Sequence, residues 1–431
     1  MKRSEQLYSK ALELLPGGVS RNTVLRKPNP DYANFGKGCQ LTDIEGVTRL
    51  DFSNNMASLL HGHACPAIVQ AVTEQLQRGS AFTMATEVEV QYADYLVQRC
   101  PSFEKIRFVN SGTEAIIACL KASRAFTGKP KVAKVEGAYH GQYDYAEVSQ
   151  TPCPDTWGDI DQPNSVPVAH GTPFSALEDV IVVPFNDTKR AIAILDANKD
   201  ALACVLLDLM PHRVGLRPAE PEFVEALRNW CTKNNVLLVL DEVITFRTNI
   251  SGLQQQYNIM PDLTAMGKAI GGGFPVGAIA GRKEVMDVMN PLAEKVLFPH
   301  SGTFSANPIT LTAGLVSMQL FDAKAIERLN GLALRAVHGI EKAIKETNAI
   351  ACVTGAGSMF RIHMKKESPK NFREAYMSLE ENAKLKILLD HLYNEGFVMI
   401  NTCSAALSTA MTENEIDALV SSVKCGLRLL K

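Results

Sequence analysis

Long apolar runs are missing from this sequence. The strongest, VLLVL at residues 236–240, stops at Asp241. A membrane-spanning helix needs roughly 20 apolar residues, so no span is predicted. The charged residues of the opening stretch, MKRSEQLYSK, are not followed by an apolar segment, and we therefore expect no secretory signal.

An excess of charge of either sign is also missing. Lys and Arg together number 44, Asp and Glu together number 46, and the formal net charge is -2. Nucleic acids and anionic membranes recruit proteins through basic surfaces. The charge balance therefore gives no reason to expect either of them as the main partner.

The 10 cysteines are scattered, with no C-x-x-C pair and no cluster with histidine. The ligand spacing of a zinc site is absent, so we expect no metal centre. Free cysteines are commonly buried, and disulfides are rare in the cytosol. The pattern is typical of mostly reduced thiols in a cytoplasmic protein.

What is present is an alternation of helical and strand patterns from about residue 65 onward. Helical patterns occupy residues 67–77, 113–126 and 220–234. Short apolar runs occupy residues 105–109, 131–135, 180–184, 204–209 and 236–240. Strands separated by helices predict a mostly parallel, doubly wound α/β sheet, and unbroken apolar strands fit a sheet covered on both faces.

The two ends of the chain have a different pattern. Residues 1–17 predict an amphipathic helix, and short strand candidates follow to about residue 60. From residue 307 the chain is mostly helical, with strands predicted at 355–363 and 397–400. Length alone suggests about two or three domains.

The segment at residues 150–175 is too long for a simple connection, which predicts a functional loop near the site.

The first candidate ligand site is the segment Asn110-Ser111-Gly112-Thr113-Glu114, directly after the strand at 105–109. Ser111 and Glu114 have the spacing of a capping box, so a helix should begin here. Backbone N–H groups at a helix N-terminus favour an anion such as phosphate. Taken alone, the segment is more typical of a plain capped helix.

The second candidate is Asp241, which follows the buried strand VLLVL. A buried carboxylate needs a partner, because leaving it unpaired carries a large free-energy cost. A cationic ring nitrogen, a metal or an arginine would serve. In isolation, an aspartate at this place more often caps the next turn.

The third candidate is Lys268, which lies between Gly267 and the run Ala269-Ile270-Gly271. The small neighbours leave room for a planar ligand against the backbone. Desolvation would lower the pKa of the amine and make it a nucleophile for carbonyls. As a lone motif, a surface lysine before a flexible loop is the commoner reading.

The three candidates together indicate pyridoxal phosphate (PLP). This cofactor needs its phosphate held, its ring nitrogen paired with an acid, and a lysine for covalent attachment. In open α/β sheets, ligands bind beyond the carboxyl ends of the strands, where all three segments fall. An aromatic residue should stack on the ring, and Tyr139 follows the strand at 131–135.

With these motifs, the chain resembles the class III aminotransferases of PLP fold type I, in the branch that contains glutamate-1-semialdehyde 2,1-aminomutase. The resemblance covers nearly the whole chain. Its motifs are NSGTEA (110–115), YHG (139–141), PFND (184–187), DEV (241–243), PDLTAMGKAIGGGFPVGA (261–278) and HSGTFSANP (300–308). It implies a large PLP-binding domain at residues 61–305 and a smaller α+β domain built from residues 1–60 and 306–431.

The resemblance also implies roles for individual residues. The expected cofactor-binding residues are Ser111, Gly112, Thr113, Tyr139, His140, Asp241, Val243, Lys268 and Thr303. Lys268 would attach PLP and later move a proton, and Asp241 would pair with the ring nitrogen. Thr303 would reach the phosphate in the neighbouring subunit, which implies a homodimer with shared sites.

Departures from the aminomutase motifs concern the substrate. Where the aminomutase usually has GGVNSPVR, this chain has GGVSRNT at residues 17–23, and Arg21 is similar to the arginine that binds the substrate carboxylate in β-phenylalanine aminotransferases. The segment after Asp241 is also one residue shorter, as in those enzymes. A solvated basic residue in a loop is the less favoured alternative for Arg21.

Another departure lies after the strand at 204–209. The usual Glu-Pro pair is replaced by Asp208-Leu209, and the loop continues with Met210, His212 and Arg213, which we place at the substrate. Exposure of His212 and Arg213 to solvent is an equal alternative. The C-terminal stretch INTC at residues 400–403 lacks the arginine of the β-phenylalanine enzymes, so the resemblance does not extend to 2-oxoglutarate as acceptor.

The sequence therefore predicts a PLP-dependent aminotransferase that moves an amino group from an amino acid or β-amino acid to a keto acid by a ping-pong mechanism. The alternative is glutamate-1-semialdehyde 2,1-aminomutase or a related PLP isomerase, which shares the cofactor site. A non-catalytic protein on the same fold is disfavoured by the intact Lys268, Asp241 and Thr303. A dinucleotide-binding fold is disfavoured because no G-x-G-x-x-G follows the first strand.

Overall fold

The computed structural model of the chain describes residues 2–430. Its helices are α1 (Arg3–Leu14), α2 (Asn54–Ala57), α3 (Pro66–Arg78), α4 (Glu87–Arg99), α5 (Gly112–Thr127), α6 (Asp144–Glu147), α7 (Phe174–Asp179), α8 (Thr188–Asp196), α9 (Pro221–Asn234), α10 (Gln254–Tyr257), α11 (Lys283–Met286), α12 (Pro308–Leu320), α13 (Ala323–Thr347), α14 (Phe372–Ala375), α15 (Leu379–Asn394) and α16 (Glu413–Arg428). Its strands are β1 (Ala33–Lys37), β2 (Gln40–Asp43), β3 (Thr48–Asp51), β4 (Lys105–Val109), β5 (Lys131–Val135), β6 (Gly158–Asp159), β7 (Gln162–Pro163), β8 (Val180–Val183), β9 (Leu202–Leu207), β10 (Leu237–Asp241), β11 (Leu263–Gly267), β12 (Gly277–Gly281), β13 (Cys352–Ala356), β14 (Met359–His363), β15 (Phe397–Val398) and β16 (Ser404–Ala406).

The central sheet of the described chain has seven strands in the order β4-β12-β11-β10-β9-β5-β8. Strands β11, β10, β9, β5 and β8 pair in parallel. Strand β12 runs antiparallel to both of its neighbours, β11 and β4. Every residue of β9, β10 and β11 is buried, as expected for strands covered on both faces. The predicted mostly parallel α/β sheet is confirmed.

Two strands of this sheet, β11 and β12, are not predicted by the sequence pattern. Their sequences, LTAMG and GAIAG, consist largely of small residues. Such residues carry a weak strand signal. They suit the place because closely packed neighbours leave little room: a Cβ at Gly277 would lie 2.0 Å from the backbone oxygen of Ser111.

The two ends of the chain meet in a second sheet. Strands β1, β2 and β3 form an antiparallel meander, and β15 joins its edge in parallel, with Phe397 opposite Leu50. A third sheet, β13-β14-β16, lies in the C-terminal part. This arrangement accords with a unit built from both ends, although the boundaries at residues 60 and 305 stay predictions.

The structure corrects one local prediction and adds detail to two others. The strand expected at 355–363 is a hairpin, β13 and β14, because Gly357 adopts a φ of +59° and reverses the chain. The first helix ends at Leu14, and the Pro16–Gly18 segment forms a short 3₁₀ turn with Gly17 at φ +66°. The 150–175 segment contains a small hairpin, β6 and β7. Across residues 2–430, the helices are all too short or too polar to cross a bilayer.

Candidate functional site

A cavity of about 450 Å³ opens where β4, β9, β10 and β11 end. Carboxyl ends of parallel strands meet at one edge of a sheet, so segments far apart in sequence converge there. Nine of the residues selected from the sequence line its wall: Arg21, Ser111, Gly112, Thr113, Tyr139, His140, Asp241, Val243 and Lys268. The 150–175 segment contributes nothing to the part of this wall that the structure describes.

The turn between β4 and α5 forms one end of the cavity. Ser111 is the N-cap of α5, and its Oγ accepts a hydrogen bond from Glu114 N at 3.1 Å. The Glu114 carboxylate reaches back to Asn110 N at 2.7 Å rather than to the cap residue, so the capping box is only half formed. The first N–H groups of a helix have no partner within the helix, which leaves those of Gly112 and Thr113 for an anion.

Two glycines keep this end of the cavity narrow but open. A Cβ at Gly112 would lie 2.9 Å from Val243 Cγ1. A Cβ at Gly141, where φ is +93°, would lie 2.5 Å from Thr113 Oγ1. Neither position has room for a side chain, because the backbone of α5 lies close to the Val243 side chain and to the Gly141 loop.

Asp241 ends β10 and is held by two hydrogen bonds. Its Oδ2 accepts from His140 Nδ1 at 2.7 Å, and its Oδ1 accepts from Val243 N at 3.0 Å. Burial lowers the pKa of His140, although the Asp241 carboxylate opposes the shift. We therefore assign His140 as a neutral ring that donates from Nδ1. Its Nε2 is buried and has no hydrogen-bond partner among the described residues.

Lys268 follows β11 and begins a short 3₁₀ turn, Lys268–Gly271. Its φ is +46°, a left-handed conformation that is uncommon for a residue with a side chain and often occurs at functional sites. Burial lowers the pKa of its amine, and the carboxylates of Asp241 and Asp208 oppose the shift. At a given pH, a larger fraction of this amine is therefore neutral and nucleophilic than in an exposed lysine.

Arg21 lies in the wall of the same cavity, in the N-terminal segment before β1. Its Nη1 donates to Asn55 Oδ1 at 2.9 Å. Arg21 is exposed, and the remaining guanidinium N–H groups are available for a planar anion. The structure thus brings a guanidinium, an amine and a buried carboxylate to one cavity.

Four predicted residues are not part of this wall as described. Met210 is fully buried in a core cluster beside β9, so its side chain packs against other apolar residues. His212 is half-buried, and its Nε2 lies 3.1 Å from Thr402 Oγ1. Arg213 is exposed, with its guanidinium carbon 5.5 Å from the Tyr139 ring centroid. Thr303 is exposed.

Asp208 and Asn55 are two of the polar wall residues that were not selected from the sequence as site residues. Asp208 follows β9 as Asp241 ends β10, and burial, reinforced by the nearby Asp241, raises its pKa well above its usual range. The same strand-end argument that found Asp241 could have found it. Asn55 has no such signal, because its place depends on an unusual turn at residues 54–57.

Comparison with known proteins agrees with this geometry. Residues 28–423 match the family described as aminotransferase class III. A glutamate-1-semialdehyde 2,1-aminomutase from Archaeoglobus fulgidus is 35% identical over 99% of this chain and 100% of its own length.

Three solved structures are similar to this chain over nearly its whole length. An omega-transaminase from Sphaerobacter thermophilus has a TM-score of 0.97 and 41% identity, covering 99% of this chain and 97% of its own. A transaminase with PLP bound has a TM-score of 0.91 and 36% identity, covering 100% and 99%. A β-phenylalanine aminotransferase from Variovorax paradoxus has a TM-score of 0.87 and 29% identity, covering 98% and 93%.

The resemblance inferred from the motifs is therefore confirmed, together with the fold, the enzymatic nature of the chain and its cofactor, PLP. The chain belongs to the class III aminotransferase family.

Proposed function

We propose that this enzyme is a transaminase that moves an amino group from an amino acid or β-amino acid to a keto acid by a ping-pong mechanism. The observation that carries the proposal is Arg21 in the wall of the cavity that also holds Lys268 and Asp241. A guanidinium binds a carboxylate through two parallel hydrogen bonds and so orients an amino acid. The similarity to an omega-transaminase and a β-phenylalanine aminotransferase supports the assignment.

The residues of the cavity fit PLP. The N–H groups of Gly112 and Thr113, with the hydroxyls of Ser111 and Thr113, would hold its phosphate. The buried Asp241 carboxylate would hold a proton on the ring nitrogen. A side chain at Gly112 would meet Val243, so its absence keeps the phosphate end of the cavity open.

When bound, PLP supplies an electron-withdrawing ring that stabilises negative charge on the substrate carbon. The other steps belong to the protein. Lys268 Nζ would take the proton from the substrate carbon and later release it, because its lowered pKa leaves a neutral amine that can accept a proton. His140 keeps the Asp241 carboxylate in place through the 2.7 Å hydrogen bond from Nδ1. Arg21 would bind the substrate carboxylate, and Val243 and Tyr139 would hold the ring of PLP between them.

A panel of amino donors tests the function. The PLP form is mixed with α- and β-amino acids of both hands, including β-phenylalanine and alanine, and the loss of its visible absorbance is followed. Pyruvate is then added, and its conversion to alanine is measured. The proposal is wrong if no donor changes the spectrum, or if no added keto acid is aminated.

The aminomutase is the second candidate, because a relative of that name is 35% identical over 99% of this chain. An aminomutase returns the amino group to the same molecule. Incubation with glutamate-1-semialdehyde, without a keto acid, would then yield 5-aminolevulinate. Arg21 and the shortened segment after Asp241 argue against this candidate.

We also propose a homodimer in which Thr303 reaches the partner's cofactor. Thr303 is exposed, so it is free to contact another chain. The next residue, Phe304, is a large apolar side chain with 62% of its surface accessible. An exposed apolar side chain beside Thr303 accords with an interaction surface at this place.

The lowered pKa of Lys268 predicts the pH dependence of cofactor uptake. Only the neutral amine attacks a carbonyl, so the uptake rate should rise with pH and level off above the pKa of Lys268. We expect the uptake rate to reach half of its plateau value at a pH below 10.5, which is the ordinary pKa of lysine. Stopped-flow absorbance of apoenzyme mixed with PLP measures the rate. A midpoint at or above the ordinary value would contradict the prediction.

Replacement of Arg21 by alanine tests the substrate-binding role. Loss of hydrogen bonds to a charged group should raise KM for β-phenylalanine roughly 10- to 100-fold. Because PLP contacts are unchanged, kcat should fall much less. Steady-state kinetics measures both, and Arg3→Ala, an exposed arginine on α1, is the matched control. An unchanged KM in Arg21→Ala would refute the role.

A further inference from the structure

The segment Asn54–Ala57, named here the left-handed turn, has an unusual backbone. Its four residues have φ values of 45°, 50°, 57° and 69°, and none of them is glycine. Left-handed helical turns are unfavourable for L-residues and normally occur one residue at a time. Such conformations persist only where the surrounding structure holds them, and they cluster at functional sites.

Buried polar groups hold the first part of the left-handed turn. Asp51 Oδ1 accepts hydrogen bonds from Ser53 N and Asn54 N, both at 2.9 Å. The Asn54 amide is fully buried, and its Nδ2 donates to Ala406 O at 2.7 Å and to Asp51 O at 3.0 Å. The turn is therefore anchored to β3 and to β16.

A buried arginine holds the last residue of the turn. Arg247 is 1% exposed, and its Nη1 donates to Ala57 O at 3.0 Å. Its Nε donates to Ser358 Oγ at 2.9 Å, and its Nη2 donates to Leu407 O. Arg247 lies six residues after Asp241, so the left-handed turn is tied directly to the segment that carries the cofactor acid.

The two central residues of the turn face the cavity. Met56 and Asn55 both line its wall. Asn55 Oδ1 accepts the hydrogen bond from Arg21 Nη1 at 2.9 Å, and Asn55 Nδ2 donates to Ser58 Oγ at 3.0 Å. The second bond fixes which way the amide points, so that its oxygen faces Arg21.

We propose that the left-handed turn positions Arg21, with Asn55 as the residue that holds its guanidinium ready for the substrate carboxylate. Arg21 is a long and exposed side chain, and ordering it on binding costs conformational entropy. A side chain already held by Asn55 avoids part of this cost. The inference rests on the proposed role of Arg21, which the test below separates from the role of Asn55.

The test is Asn55→Gly. Glycine adopts a φ of 50° without strain, so the variant removes the amide and keeps the backbone. We expect KM for β-phenylalanine to rise about tenfold, kcat to stay within about twofold, and PLP affinity to be unchanged. Asn55→Asp, which keeps an acceptor oxygen, should restore most of the lost affinity. Asn348→Gly is the matched control, because Asn348 is also left-handed, at φ 53°, but ends α13.

A double variant shows whether the two residues act together. In the Arg21→Ala background, Asn55→Gly should change KM no further, because its target is gone. If Arg21→Ala raises KM and Asn55→Gly alone does not, the positioning role is wrong and the proposed function stands. A full additional effect in the double variant would also overturn it. If Arg21→Ala leaves KM unchanged, the role of Arg21 fails, and that of Asn55 with it.

Discussion

Lys268→Ala should lower kcat/KM by roughly 10⁴-fold, because it removes the amine that moves the proton. In the structure this amine lies in the cavity with Asp241, in a left-handed residue directly after β11. No other described lysine lines that cavity. Steady-state and single-turnover kinetics with β-phenylalanine and alanine measure the loss.

The variant also tests covalent attachment of the cofactor. Borohydride reduction should fix PLP to the wild-type chain and leave Lys268→Ala unmodified, as seen by mass spectrometry of the intact protein. Lys268→Arg should be equally inactive, since a guanidinium stays protonated and is no nucleophile. Lys283→Ala, in α11, is the control and should retain full activity. Full activity in Lys268→Ala would exclude both the mechanism and the assigned site.

The cavity could be found from sequence because its chemistry sits at strand ends. Ser111 and Asp241 each follow a run with a strand pattern, Lys268 begins a glycine-rich segment, and parallel strands bring their carboxyl ends together. Sequence spacing therefore specified which residues converge. It did not specify His140 as the hydrogen-bond partner of Asp241, because that contact joins residues 101 positions apart.

Other parts of the cavity could not be predicted from the sequence. The left-handed turn contains no glycine, and its two asparagines are only a weak signal of a positive φ. Its conformation is imposed by Asp51 and by the distant Arg247. Strands β11 and β12 were likewise hidden, because close packing around the cofactor segment selects small residues over β-branched ones.

The loop after β9 is a different case, and the substrate roles of His212 and Arg213 stay predictions. Met210, His212 and Arg213 were placed at the substrate because they replace a familiar motif. Met210 instead packs in the core. An apolar residue next to a site motif can be a core residue or a ligand-binding residue, and its burial in the structure distinguishes the two roles.

Arg247→Met should destabilise the fold strongly. The guanidinium is 1% exposed and hydrogen-bonds to Ala57 O, Leu407 O and Ser358 Oγ. Methionine fills much of the volume but leaves these three buried acceptors without a donor. Each unsatisfied group costs about 1–3 kcal/mol, so we expect a loss of about 3–5 kcal/mol and a Tm lower by about 5 °C.

The hydrogen bonds of Arg247, rather than its charge, should account for this loss. Burial lowers its pKa to about 9, so the charged form carries a desolvation cost. Arg247→Lys keeps a charge but cannot reach all three acceptors with one ammonium, and its Tm should fall nearly as far. Arg335→Met, which breaks an exposed pair with Asp417, is the control and should change Tm by about 1 °C or less. Thermal unfolding of the holoenzyme measures all three, and an Arg247→Met protein as stable as wild type would show that the left-handed turn is held by other contacts.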